Sequence, residues 1–307
     1  MAADARRVYD IIIPQPVLEG AGVRLKRSLG GFQLDYLDPF LLLDHFGSDD
    51  PDDYLAGFPW HPHRGIETVT YMLAGEVDHR DSIGNAGSIG PGDVQWMTAG
   101  GGIMHEEMPR PREGLMAGFQ LWVNLPSALK MTKPRYQDVA AADIPHVRRD
   151  DGTVVRVVAG AVDGVEGPVR EIYAEPEYLD VSLPAGGSFS QPVPLGHSAF
   201  AYAFEGEGQF GVGCDLGYRG DLDGELLTAT RMAVFGDGDE VRVQAGDHAV
   251  CFLLVSGKPL GEPIARYGPF VMNTREELQL ALRDLQNDTF VWRDDAEWAR
   301  TRRTWSR

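Results

Sequence analysis

Sulfur chemistry is nearly missing from this sequence: 307 residues contain two cysteines, Cys214 and Cys251. Two thiols cannot build a disulfide framework, and neither belongs to a CxxC pair, so thiol-redox and zinc-ribbon readings are excluded. Cys251 lies in the apolar run AVCFLLV and reads as a small buried hydrophobe. Long apolar runs are absent as well. None approaches the roughly 20 residues of a spanning helix. The N-terminal MAADARRVYDIII lacks the apolar region and cleavage site of a secretory signal. A cytoplasmic protein without membrane contact is expected. Positive charge is scarce: 28 Lys and Arg face 46 Asp and Glu, for a net charge of −18. Such a field repels a phosphate backbone, so no direct nucleic-acid partner is expected. The basic tail WARTRRTWSR, Trp298 to Arg307, reads as a solvated terminus. Gly100-Gly101-Gly102 has no GxxxxGK around it and is not a phosphate loop. No GxSxG elbow occurs.

Helical periodicity is confined to one place. Thr274 and Glu277 form a capping-box pair opening TREELQLALRDLQND, with Leu278, Leu282 and Leu285 on one stripe. This helix is expected on the outside of a second barrel. What fills the rest is 37 glycines and 20 prolines punctuating short alternating runs. That pattern predicts many strands in barrels or sandwiches. Expected strands include Ile11–Ile13, Glu67–Leu73, Asp93–Met97, Gly118–Val123, Val154–Val158, Leu179–Leu183, Ala199–Phe204, Met232–Phe235, Val241–Val243 and Ala249–Val255. An ungapped repeat lays Trp60–Glu76 over Gln191–Glu207, matching Gly65 with Gly196, Tyr71 with Tyr202, Gly75 with Gly206 and Glu76 with Glu207. The chain therefore reads as all-β, two related barrels in tandem with a C-terminal helix. The expected divisions are 1–140, 152–290 and a tail 291–307, with the boundary in the polar stretch Ala140–Asp151.

His61 and His63 are two apart, so on a strand both point to one face. His105 and Glu107 are spaced the same way. Two antiparallel strands of the first barrel would then offer three imidazoles and a carboxylate to one point. Such a set suits one divalent transition metal, iron, manganese, nickel or copper, with zinc less suited. Two adjacent coordination positions would remain for a substrate and dioxygen. The repeat supplies a control: Pro192 and Pro194 lie opposite His61 and His63, and Pro259 and Gly261 opposite His105 and Glu107. One barrel is equipped and the other is not. Glu67 is read as an inward polar group, His197 as structural, His45 as structural with a place at the cavity mouth as the alternative, and His79 as part of a salt-bridged surface loop with a cavity-rim role as the alternative. Trp60, Phe46, Met97 and Met104 are candidate apolar walls for a planar aromatic substrate.

The segment HPHRGIETVTYMLAGEVDHRDSIGNAGSIGPGDVQWMTAGGGIMHEEMP, His61 to Pro109, closely resembles the signature of the pirin family. FGDGDEVRVQAG and SGKPLGEPIARYGPFVMNT resemble that family's C-terminal domain. The resemblance implies two jelly-roll-type cupin barrels in one monomeric chain, a bicupin, with iron(II) in the N-terminal barrel only. It places the metal ligands on His61, His63, His105 and Glu107. Glu106, where relatives often carry a small polar residue, is expected to face away. The resemblance also implies two functions. One is quercetin 2,3-dioxygenase chemistry on flavonols, with Glu107 accepting the substrate's proton. The other is a non-catalytic, redox-responsive regulator that binds a protein partner. A metal-assisted isomerase or hydrolase is a third expectation, since cupins host many reactions.

Overall fold

A computed structural model describes residues 4–111, 114–213 and 224–294. Cys214 and the basic tail lie outside the described residues. The strands of the first half are β1 (Val8–Ile12), β2 (Gln15–Glu19), β3 (Val23–Leu29), β4 (Phe40–Ser48), β5 (Phe58–His63), β6 (Ile66–Ala74), β7 (Val77–Asp81), β8 (Ala86–Ile89), β9 (Val94–Thr98), β10 (Ile103–Pro109), β11 (Met116–Asn124) and β12 (Arg135–Val139). Two sheets build the first cupin barrel. One runs β12-β9-β6-β11-β4-β3-β2, the other β5-β10-β7-β8.

Alternation along β6 sorts the first barrel into layers. Ile66 belongs to an apolar cluster with Leu41, Ala99, Ile103 and Val271 at one end. Met72 belongs to another with Val23, Leu25, Val77 and Met116 at the other end. Between them lie two cross-strand rows of inward side chains. Trp122, Thr68, Met97 and Tyr136 form the first, and Gln120, Thr70, Gln95 and Asp138 the second. In the second cupin barrel the core cluster among the described residues is apolar and includes Val155, Val157, Leu179, Val181, Ala199, Ala201, Ala203, Phe210, Phe252 and Leu254, all at 0% exposure. Its buried polar groups include Gln191, whose Nε2 donates to Glu177 Oε2 at 3.1 Å. Burying polar side chains costs free energy unless they are bonded or used. The two stacked polar rows are thus the costly feature of the first barrel.

The internal repeat is a structural one. Gly65 and Gly196 have φ of +82° and +78°, and Gly75 and Gly206 have +87° and +71°. Each pair occupies the left-handed region that side chains avoid. Tyr71 and Tyr202 are both fully buried. Val241–Val243 and Ala249–Val255, expected as two strands, are parts of one 18-residue strand, Glu240–Gly257.

Two elements sit elsewhere than the linear reading placed them. The compact units are 1–15, 31–39 and 142–259 for one, and 16–30, 40–141 and 260–307 for the other. Thus β1 joins the second barrel by pairing Ile11 with Ala233 and Ile12 with Met232. The helix α1 (Arg275–Gln286) belongs with the first barrel instead of the second. Its Ala281, Leu278, Leu282 and Leu285 pack with Phe270, Phe290 and Met104. The capping box at Thr274 and Glu277 is present as read. Local sequence fixes where a helix starts; only distant contacts fix what it covers. Cys251 is partly exposed rather than fully buried, because it points away from the core residue Phe252 beside it.

His45 lies on the sheet face turned away from the polar rows and stacks on Phe119 with ring centroids 4.7 Å apart. Burial, aided by Lys26, pushes its pKa down to about 4. The unfolded chain protonates this imidazole near 6.5 and the folded chain near 4. Stability is therefore complete above about pH 6.5 and drains away as pH falls towards 4. Between pH 7 and pH 5, wild type is expected to lose about 1 kcal/mol more than His45→Phe, allowing for partial exposure. Urea denaturation of both proteins at the two pH values measures this. Equal losses would remove His45 from the acid response.

Candidate metal centre

β5 and β10 are antiparallel neighbours with His61 opposite His105 and His63 opposite Ile103. Directly opposed residues share a face, so all three histidines enter the barrel interior. Their ligand nitrogens lie within 4.8 Å of one another. Ring centroids are 4.3 Å apart for His61–His105, 4.9 Å for His61–His63 and 5.0 Å for His63–His105.

The protonation state suits ligation. Burial, then the neighbouring His61 and His105, holds the His63 pKa well below its usual value. Burial, then His61 and His79, does the same for His105. Both imidazoles are neutral near pH 7, as a metal ligand must be. His61 Nδ1 lies 3.0 Å from the Pro59 carbonyl. That carbonyl only accepts, so Nδ1 carries the proton and Nε2 presents its lone pair. His63 Nδ1 and both ring nitrogens of His105 are buried without a hydrogen-bond partner. Orphaned buried nitrogens are rare in native proteins, and a shared ion satisfies them. The residues present therefore fit a metal.

Glu107 is not one of that three-residue cluster. It shares the inward face of β10, where Ile103, His105 and Glu107 are buried and Met104 and Glu106 less so. A bulge in β5 pairs Glu107 with Phe58, one residue beyond simple alternation from His61. At that level Glu107 Oε1 accepts from Thr70 Oγ1 at 3.1 Å. Glu106 faces out and pairs with Arg80. Glu67 faces away from the polar rows, because the turn at Arg64-Gly65 separates β5 from β6 and interrupts the alternation. There its Oε1 accepts from Thr98 Oγ1 at 2.7 Å.

Several lining residues escaped the sequence reading. His79, expected on the surface, is 6% exposed and points inward from β7. Trp122 presents its ring edge-on to His63 at 5.2 Å. Thr70, Gln95, Gln120 and Tyr136 complete the interior. Thr68 and Thr70 two apart in β6, with Gln95 in β9 and Gln120 in β11, were the available signal. Burial, then Asp81, Glu107 and Asp138, raises the Tyr136 pKa, so its hydroxyl keeps its proton. Of the expected walls, Met97 is inward and Phe46 joins the apolar end cluster. Trp60 is 43% exposed under Arg80, and Met104 packs toward α1.

Two cupin barrels, one of them holding three converging imidazoles in a polar layer, define a bicupin with a single metal-type site among the described residues. The chain belongs to the pirin family: residues 22–123 match the pirin family and residues 178–291 the pirin C-terminal cupin domain. It is 45% identical over 287 residues to a Pseudomonas aeruginosa protein named provisionally as a quercetin 2,3-dioxygenase, covering 92% of this chain and 97% of that one. A Caulobacter vibrioides pirin-like protein is 46% identical over 286 residues, covering 93% of this chain and 99% of that one. The crystal structure of a quercetin 2,3-dioxygenase from Acinetobacter baumannii superposes with a TM-score of 0.83 at 35% identity, covering 93% and 98% of the two chains. No helix among the described residues is long and apolar enough to cross a membrane.

Proposed function

We propose that this chain is a metal-dependent dioxygenase acting on flavonols of the quercetin type. His61, His63 and His105 would hold one divalent ion, iron(II) being the first candidate, with Glu107 as the fourth ligand or as base. A bound ion of this kind would acidify a coordinated hydroxyl and exchange electrons with dioxygen. The chain's own groups do the rest. Thr70 occupies one oxygen of Glu107, which leaves the other to accept the hydroxyl proton of a substrate. The indole of Trp122 and the thioether of Met97 give a flat ligand apolar walls. The lower exposure of His63 and His105 than of His61 makes the His61 side the approach from solvent. The observation that carries this reading is the convergence of His61, His63 and His105 inside the first barrel, with His63 Nδ1 and both ring nitrogens of His105 buried and unpartnered. The names of the Pseudomonas and Acinetobacter relatives support the substrate class.

Metal analysis of protein purified without added metal, followed by anaerobic mixing with quercetin, tests it. The quercetin absorption band should shift on mixing. Admitting oxygen should bleach it and release about one equivalent of carbon monoxide per quercetin consumed, as ring cleavage of a 3-hydroxyflavone requires. Absence of turnover with iron, manganese, nickel and copper alike would overturn the dioxygenase. Activity that persists under argon with zinc would assign an isomerase or hydrolase instead.

A further inference from the structure

One residue of the polar layer takes no part in that reading. Gln120 stands opposite Thr70 across β11 and β6, and opposite Asp44 across β11 and β4. Thr70 Oγ1 lies 3.1 Å from Glu107 Oε1 and 2.9 Å from the Gln120 amide, at the end assigned as Oε1. A hydroxyl has one hydrogen and cannot donate fully to both. Glu107, as the carboxylate that takes a substrate's proton, only accepts. The Thr70 hydrogen therefore goes to Glu107, and Gln120 turns its amide NH2 to Thr70 Oγ1. The two ends of an amide are told apart by their partners alone, so the network fixes this orientation. The reverse chain needs Glu107 as the acid, which could not take that proton.

The order Gln120 to Thr70 to Glu107 puts the Gln120 carbonyl oxygen on the side away from Thr70. Along β11 every residue from Met116 to Asn124 is buried except Gln120 and Trp122, which are half-buried. These two stand two apart and face inward, so the open part of that face lies inside the barrel. Trp122 meets His63 there. The charges beside Gln120 are closed among themselves. Arg27 holds both oxygens of Asp44, at 2.8 and 2.7 Å. Arg266, 5.2 Å over the Trp122 ring, donates to the Leu41 carbonyl at 3.0 Å. What Gln120 adds is an uncharged acceptor, and the complement of an acceptor close to the Glu107 carboxylate is a neutral hydroxyl. We infer that the Gln120 carbonyl oxygen accepts a second hydroxyl of the substrate, beyond the one that gives its proton to Glu107. The site then selects flat aromatics with several hydroxyls over those with one. This rests on the reading that Glu107 is the base beside a metal held by His61, His63 and His105.

Quercetin and 3-hydroxyflavone, which keeps only the hydroxyl at position 3, separate the two contacts. Their affinities for the metal-loaded full chain are measured under argon in wild type and Gln120→Met, with metal content and melting temperature alongside. Wild type should prefer quercetin. Gln120→Met should weaken quercetin about fivefold, as one lost hydrogen bond does, and leave 3-hydroxyflavone binding and metal content unchanged. Gln120→Asn keeps an amide but withdraws it by one methylene, and should show the same selective loss if the methionine variant does not fold. Equal affinities in wild type, quercetin binding unchanged in the variants, or both ligands weakened alike would each overturn the contact. The last result would make Gln120 only a support for Thr70 and Glu107. In all three cases wild type would still bleach quercetin on admission of oxygen, so the dioxygenase reading would stand. Selective loss without oxygen-dependent bleaching would remove the dioxygenase and leave the hydroxyl contact in place. Failure of both ligands to bind wild type would overturn the flavonol reading and the contact together.

Discussion

His105→Leu is expected to lose metal binding and, at the same time, to stabilise the metal-free protein. His105 is 1% exposed, and neither ring nitrogen has a partner. Leaving one buried polar group unsatisfied costs roughly 1–3 kcal/mol, and an apolar side chain of similar size removes that cost. Leucine should therefore raise metal-free stability by about 1–2 kcal/mol, a trade often seen when a functional site is replaced by core. Metal affinity should drop by more than the roughly 10–100-fold that follows loss of an outer partner alone. His61→Ala is the contrasting case. His61 is only partly buried and its Nδ1 already has Pro59, so stability should shift within about 0.5 kcal/mol while metal is lost. Chelator competition and urea denaturation of the metal-free proteins give both quantities. A leucine variant less stable than wild type would make His105 a packing residue and remove the strongest support for the centre.

The histidines could be read from the sequence because their chemistry is rare and their spacing matches the strand period. His61, His63 and His105 needed only the assumption that two extended segments lie side by side, and β5 and β10 do. The position of Glu107 was harder. Its face followed from alternation with His105, but its level in the barrel depends on the β5 bulge between Phe58 and His61, which nothing in FPWHPH announces. His79 was misplaced for a related reason. VDHRD contains an inward and an outward face, and the charged neighbours Asp78 and Arg80 drew attention to the outward one. Thr70, Gln95, Gln120 and Tyr136 are ordinary strand residues one at a time. They become a polar layer only when register sets them side by side. The proline-for-histidine substitutions in the repeat pointed to the first barrel, where His61, His63 and His105 converge.

Asp284→Ala is expected to be among the most destabilising single changes in the molecule, although Asp284 lies 220 residues from the histidine pair's neighbour Arg64. The Arg64 guanidinium is 1% exposed and bonds Asp284 Oδ2 at 2.9 Å, with Asp284 itself 7% exposed. It also donates to the Phe290 carbonyl at 2.9 Å and lies 4.4 Å over the Phe290 ring. Removing one partner of a buried ion pair leaves the other charge uncompensated, at about 3–5 kcal/mol. That is a large share of the roughly 5–15 kcal/mol by which domains are stable. The next residue, Gly65, is held as firmly. A Cβ there would come within 2.0 Å of the Val271 carbonyl. Lys130 Nζ donates to the carbonyls of Gly65 and Val271 at 3.0 and 2.9 Å, and to Asn124 Oδ1 at 2.7 Å. The segment carrying Val271, Asp284 and Phe290 thus anchors the turn that immediately follows His63. Asp284→Ala should therefore weaken metal retention as well as stability. The double change Arg64→Met with Asp284→Leu separates the charge from the packing, because it leaves no uncompensated charge and costs only the Phe290 carbonyl and the Thr289 hydroxyl a hydrogen bond each. It should recover much of the stability lost in Asp284→Ala, as hydrophobic replacements of buried pairs do. A double variant as unstable as the single one would mean that the guanidinium's contacts with Phe290, rather than the ion pair, hold the turn.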